Sequence, residues 1–474
     1  MDSKPLAFFP KYFTWAASAT YVVVLLACIL FFPQWVLPIH WIIFGLFEVF
    51  AFFYFSTLLT RRWALISEPV FRTELFTTAL VIRIIYVVFA YFFYQFTTGK
   101  PFEFEAADST GYHNEAMWIV DMFESGNLQY YFTRNGYGVS DSGFPLWLSV
   151  IYFFTAKSIF VARMVNALMD AWMCVLLYKL AKRNFGEETG RISSILAMLL
   201  PTLIYYCGLH TKETVMIFFL VAFAERADYF LRLRTIKTWN LLLVVLIGVI
   251  LFFFRTVLAV AAWFALFSAL LFSANRLIGA ARKSIYIIWF VVAAILIVSG
   301  PIRTEVEGYV RDRNVNQKAQ MYNYSTTKGA NKLAKYGSSS VFIPMMIFAP
   351  FPTMVYIEDQ PNAMMINGNV FTRNVYAFFV LIALFALYKK KILTEHILIL
   401  ALLLSYLVIL ALSGFALSER FHMPAVPFLL ILAGYGITQM NNKNVKYYVP
   451  YLVLIGLVII GWNWFKLAGR GGGF

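Results

Sequence analysis

A chain of 474 residues that is 61% hydrophobic and 13% charged cannot hide its apolar surface in a water-soluble core, because soluble domains carry about 25% charged residues. With a mean hydropathy of +0.72, lipid must be the solvent for most of it. The net charge of +15 does not indicate nucleic acid, since the basic residues sit mainly between apolar runs, where orientation in a membrane accounts for them.

A spanning helix needs about 20 apolar residues, and the chain offers about thirteen candidate runs. In chain order these are 13–32, 35–60, 72–98, 158–181, 190–207, 212–231, 239–254, 256–274, 284–300, 370–388, 393–414, 422–440 and 446–466. The expected fold class is an all-α polytopic membrane protein with additional surface helices outside the bilayer. The first run is about as long as a membrane span and a second follows closely, so it does not read as a cleavable signal. Basic clusters recur in alternate loops: Arg61, Arg62 and Arg72; Lys182, Arg183 and Arg191; Arg232, Arg234 and Lys237. Arg276, Arg282 and Lys283, then Lys389, Lys390 and Lys391, then Lys443 and Lys446 continue the series. With the N-terminus cytoplasmic, all of them fall inside a plasma or inner membrane, as the positive-inside rule requires. Segments 99–157 and 301–369, and the short turn 414–424, then lie outside. The chain divides into two N-terminal spans (1–71), a core with the first outside loop (72–300), the second outside loop (301–369) and C-terminal spans (370–474). Cys28, Cys174 and Cys207 fall within or at the ends of apolar runs, without metal-ligand spacing, and read as small buried hydrophobes.

The first outside loop opens with "FEFEAADSTGYHNEA", which gathers Glu103, Glu105, Asp108 and Glu115 in a chain that otherwise avoids charge. Residues 108–124 read as a surface helix stopped by Gly126, and 144–156 as a re-entrant or interfacial segment. Asp108 suits a helix N-cap, and it also suits a general base held at the membrane surface; the two roles are compatible. Glu103 and Glu105 alternate in an extended stretch and could share its face. Among cations on the outer side, Arg420 stands out, because a short outside turn gains nothing from Arg unless something anionic is bound. Arg255 sits in another outside turn, His422 follows Arg420 closely, and "HTKE" crowds His210, Lys212 and Glu213 at the outer start of a span. Segment 301–340 is also basic, with Arg303, Arg311, Arg313, Lys318, Lys328, Lys332 and Lys335 against Glu305, Glu307 and Asp312; it reads as a solvated loop. A divalent metal is possible from Asp108, His113, His210 or Glu213, but these lack a ligand spacing and none is expected to be obligate. Inside the membrane, Glu48 and Arg83 fall at similar depth on neighbouring spans and predict a buried pair; Asp170 is a third buried acid.

"DSTGYHNEA" resembles the start of the first outside loop in the GT-C membrane glycosyltransferases, in the branch containing protein O-mannosyltransferases and lipid A aminoarabinose transferases. "FPLWLSVIYFFTAKSIFVARMVNALMDAWMCVLLYKLAKRNFG" is similar to that family's second block through Pro145, Arg163, Asn166, Tyr178, Leu180, Ala181, Lys182 and Arg183. "SERFHMPAVPFLLILAGYGI" resembles its last outside turn through Arg420 and Pro424. The resemblance runs over roughly residues 72 to 440. It departs in having two spans ahead of the one that leads into the loop, and in lacking an adjacent Asp-Glu pair, which keeps Glu105 beside Asp108 as the base. The resemblance implies a GT-C-like fold and an inverting glycosyltransferase that passes a sugar from a polyprenyl-phosphate carrier to an acceptor hydroxyl on the outer face. The acceptor would be a lipid, a glycan or a protein. Asp108 or Glu105 would act as base. Arg420, Lys212, Arg255 and His422 would hold the phosphate, while Tyr112, His113, His210 and Glu213 would orient substrate. A polysaccharide polymerase using diphosphate-linked glycans is a related alternative. A lipid or solute transporter working through Glu48, Arg83 and Asp170 is another, though no paired halves are visible.

Overall fold

The computed structural model describes residues 7–134, 141–233, 238–272, 317–327 and 330–470. The expected span 284–300 lies outside the described residues, as do Arg234, Lys237, Arg276, Arg282, Lys283, Arg303, Glu305, Glu307, Arg311, Asp312, Arg313 and Lys328.

Among the described residues the regular structure is helical, apart from one isolated bridge between Val36 and Val355. Helices α1 (Lys11–Phe31), α2 (Ile39–Arg62) and α3 (Glu68–Thr98) follow one another through short connections. The segment 99–157 contributes α4 (Ala107–Glu124), α5 (Leu128–Arg134) and α6 (Gly143–Thr155). Then come α7 (Ile159–Phe185), α8 (Glu187–Leu199), α9 (Pro201–Cys207), α10 (Glu213–Leu231), α11 (Thr238–Phe254) and α12 (Thr256–Phe272). Short helices α13 (Gln317–Thr326), α14 (Ser339–Met345) and α15 (Pro361–Met365) lead to α16 (Asn367–Lys390) and α17 (Ile397–Ala411). The chain ends with α18 (Glu419–His422), α19 (Val426–Thr438), α20 (Asn442–Val445) and α21 (Tyr448–Ala468).

Among the described residues eight helices, counting short flanking turns, are long and apolar enough to cross a membrane, or nine if the bent pair α8–α9 is one span. Of the other runs expected to span, α10 carries Glu213, Glu225, Arg226 and Asp228, and α11 and α12 have 17 residues each. Large apolar side chains such as Trp15, Leu30, Phe47 and Phe96 stand outward on the long helices, the last 84% exposed. Water would penalise that surface and lipid does not, so the molecule is a multi-pass helical membrane protein. Helix α4 and the 13-residue α6 form over the residues where the sequence places helices, and Gly126 follows the former in a left-handed conformation with φ of 73°.

Among the described residues, the basic loops around residues 61–72 and 182–191 meet the end of α10 at one end of the bundle. Lys182 at the end of α7 bonds Glu68 at the start of α3 and lies 2.8 Å from Glu187. Arg183 reaches Glu225 and Asp228 near the end of α10, both at 2.8 Å. Arg191 donates to the Trp63 carbonyl at 2.6 Å and lies over the Phe71 ring.

The expected Glu48–Arg83 pair is not formed. Arg83, fully buried, donates from Nε to Asp170 on α7, while Glu48 on α2 accepts the backbone N–H of Asn369 at 2.9 Å. Equal depth does not fix which way a side chain faces: α3 packs on α7 and α8, whereas α2 packs on α16. The α2–α16 approach is close because Gly45 and Gly368 meet, and a Cβ on Gly368 would lie 2.4 Å from the Gly45 carbonyl oxygen.

Arg83 also resolves the break in the bundle. Helices α8 and α9 meet at 51° with Pro201 opening the second segment. Proline has no N–H for the carbonyl four residues back, and the bend frees the next one as well. Those are Ala197 and Met198, and Arg83 donates Nη2 to the first at 3.4 Å and Nη1 to the second at 3.0 Å. The guanidinium thus replaces the missing backbone donors inside the apolar core, and Asp170 neutralises it.

Candidate functional site at the end of the bundle opposite the basic loops

Helix α4 enters through Glu105, whose φ of 56° turns the chain sharply before Ala107. Asp108 therefore lies in the first helical turn and not at the N-cap, which is Ala106. The capping role is not adopted; the Asp108 carboxylate instead accepts from Nη1 of Arg420, 312 residues away. The same guanidinium donates from Nε to Glu213, a fully buried carboxylate at the start of α10. Arg420 thus clamps the surface helix to α10, and the second oxygen of Glu213 has no partner.

Two more cations join it. Lys212 is 4% exposed at its side chain and bonds the exposed carboxylate of Asp141. Burial, and then the neighbouring charge of Arg255, push its amine down to about 7 against the opposing pull of Glu213 and Asp108. Arg255, in the turn between α11 and α12, rests 4.5 Å over the Phe421 ring, and its buried Nη1 has no hydrogen-bond partner. Tyr112 on α4 packs edge-on against Phe144 of α6 and feels the charges of Glu213, Arg420, Asp108 and Arg255. Arg420, Lys212 and Arg255 stand against Asp108, Glu213 and Asp141, so the rim is close to balanced in charge.

A second group sits behind Phe144. His113 Nδ1 lies 2.7 Å from the Tyr152 hydroxyl, which lies 3.0 Å from His210 Nε2. Burial holds His113 below the usual imidazole range and takes His210 well below it, with Arg163 and then His113 adding to the second. Both rings are therefore neutral near pH 7 and suit hydrogen bonding more than charge. The four side chains weighed as metal ligands are split: His113 and His210 share Tyr152, while Asp108 and Glu213 share Arg420.

Two expected site residues are placed elsewhere. Glu105 is exposed and makes no side-chain hydrogen bond or ion pair; burial and the nearby Asp359 raise its carboxyl. Glu103, not Glu105, turns inward and accepts from Ser109 at 2.5 Å. His422 is fully buried, with Nε2 donating to the Ala416 carbonyl at 2.7 Å and Nδ1 accepting from Arg373 at 2.6 Å, so it does not reach the rim. Consecutive residues on a helical turn point about 100° apart, which is why Arg420 faces out and His422, two further on, faces in. Asp141 and Tyr152 were missed from sequence. Asp141 lies in no motif, Tyr152 lies in the second block but is not one of the residues that carry the resemblance, and only the folded chain brings them to Lys212 and His210.

No protein-family model, curated protein or solved structure matches this chain.

Proposed function

We propose that this protein is an inverting glycosyltransferase of GT-C type that moves a sugar from a polyprenyl-phosphate carrier to an acceptor hydroxyl at the extracytoplasmic membrane surface. The observation that carries the reading is the meeting of Asp108 and Arg420 beside Lys212 and Arg255: a carboxylate and three cations from four distant parts of the chain, at one mouth of a membrane bundle. The carrier phosphate would take the free Nη1 of Arg255, the Lys212 amine and, by displacing Asp108, the Nη1 of Arg420. Displacement frees the Asp108 carboxylate at the moment the donor is in place. The acceptor oxygen then forms its bond to the anomeric carbon from the face opposite the phosphate, the anomeric C–O bond to phosphate breaks, and the acceptor proton passes to Asp108. Polyprenyl phosphate leaves with its charge held by the cations. The transporter reading loses support because Arg83 and Asp170 are bound to each other and to the helix break.

The test is transfer in proteoliposomes from a panel of polyprenyl-phosphate sugars, with Asp108→Asn beside wild type. Asp108→Asn should lose about 10²- to 10⁴-fold in turnover while still binding the carrier lipid. Unchanged turnover in the variant, or no transfer by wild type from any donor and acceptor tried, would remove the proposal.

A further inference from the structure

Directly beneath Arg420 the bundle holds a seam of polar side chains that the rim does not use. Helix α16 presents Asn369, Arg373 and Tyr376 along one face, at spacings of four and three residues. Arg373 and Tyr376 are each 2% exposed and Asn369 is fully buried. Thr202 of α9 donates to the Asn369 side-chain oxygen, which leaves Asn369 Nδ2 without an acceptor. Arg373 spends Nη2 on His422, and its Nε has no partner; nor does the Tyr376 hydroxyl. Facing them is Glu419, the residue before Arg420, whose two buried carboxylate oxygens lack a hydrogen bond of good geometry, though Thr202 lies near enough to interact with the group. Arg373 and Glu419 lie within each other's field, and Tyr206 of α9 feels Glu419, Glu213 and Arg420 together, which sets seam and rim side by side.

Five buried polar atoms without a hydrogen bond of good geometry are expensive in an apolar bundle, so they are arranged for an occupant. Its chemistry follows from theirs. Arg373 repels a simple cation, and hydrocarbon would leave every group unsatisfied. Arg373 and Asn369 Nδ2 only donate, Tyr376 does both, and the Glu419 carboxyl accepts. The matching guest carries closely spaced groups that each donate and accept, which describes the hydroxyls of a sugar ring.

We propose that this seam is the subsite that reads the hydroxyls of the transferred sugar, with Glu419 and Arg373 as its specificity-determining residues. The proposal rests on the donor reading above. It places the carrier phosphate at the rim and the sugar one residue deeper, on the other side of the α18 turn.

The experiment compares binding of geranylgeranyl phosphate with its glucosyl, mannosyl and N-acetylglucosaminyl phosphodiesters, using full-length protein in nanodiscs. Tyr376→Phe deletes only an unpartnered hydroxyl and should leave the melting temperature unchanged. It should weaken the preferred sugar phosphodiester about tenfold, and leave bare geranylgeranyl phosphate unaffected. Glu419→Gln should weaken the same ligand further and reorder preference among the three sugars. If both variants bind the phosphodiesters as wild type does, or lose bare and glycosylated lipid equally, the seam holds only water and the proposal is wrong. If wild type binds none of the lipids, the donor reading itself falls, and this subsite with it.

Discussion

Replacing Asp170 by Asn tests why an arginine is buried in the core. Arg83 is fully buried and Asp170 is 2% exposed, so solvent does not screen the pair. Removing one partner of such a pair leaves an uncompensated charge and should cost about 3–5 kcal/mol. A buried pair with no other role could be exchanged for apolar side chains with little loss or a gain of about 1–4 kcal/mol. Here the outcome should differ, because Arg83 also supplies the donors that Pro201 removes. In the double variant Arg83→Met/Asp170→Leu no charge remains, yet the carbonyls of Ala197 and Met198 lose their partners. Each should cost about 1–3 kcal/mol, with the 3.4 Å Ala197 contact at the lower end. The double variant should therefore stay about 2–6 kcal/mol below the level that the apolar exchange alone would reach, and below wild type where that exchange is neutral. Adding Pro201→Ala, which restores an N–H to the Ala197 carbonyl, should recover part of the loss. Thermal unfolding can be followed with a thiol-reactive dye, since Cys28, Cys174 and Cys207 are all buried and free. A double variant as stable as wild type, and no more stable once Pro201→Ala is added, would refute the capping argument and leave Arg83 and Asp170 as an ordinary ion pair.

Lys212 should make carrier binding depend on pH. Its amine carries charge below about 7 and loses it above, so affinity for a polyprenyl phosphate should fall as pH rises through that value, and Lys212→Met should flatten the profile. The same shift has the opposite sign for folding. An unfolded lysine titrates near 10.4, so between about 7 and 10 the unfolded chain holds the extra proton and stability rises with pH; a melting series across that range checks it. Gly368→Ala should destabilise by about 1–3 kcal/mol, because the new methyl meets backbone of α2 that cannot swing aside. Its signature is a lower melting temperature in a variant that still inserts, and an unchanged melt would show that the two helices can separate.

Much of the architecture was legible because the bilayer imposes lengths. The long spans, the surface helix and the short α6 all follow from runs of apolar residues and their stops. Partner choice was not legible, because depth along a helix says nothing about the face. Glu48 and Arg83 match in depth, yet each serves a different neighbour. At the site, Arg420 could be singled out because it is a costly residue in a short turn, whereas Glu105 and Asp108 could not be separated until the backbone showed a left-handed residue between extended chain and helix. The seam left one signal in the sequence, since Arg373 is a charge near the start of the apolar run 370–388. Glu419 carries no comparable signal, and only the turn of α18 reveals that it points inward.

The N-terminal helices are tied to the last part of the chain. Tyr21 bonds Asn367, Glu48 waits for the amide of Asn369, and Tyr448 donates to the Phe13 carbonyl at 3.2 Å. The ribosome must add 321 residues between Glu48 and its partner, which at ordinary rates of synthesis takes roughly fifteen to sixty seconds. Through that interval a carboxyl group sits in a nascent membrane helix without its acceptor site, so the first two helices need shelter from the insertion machinery until α16 is made. Truncation from the C-terminus should then expose the newborn N-terminal hairpin to membrane quality control, even though every residue of that hairpin is intact.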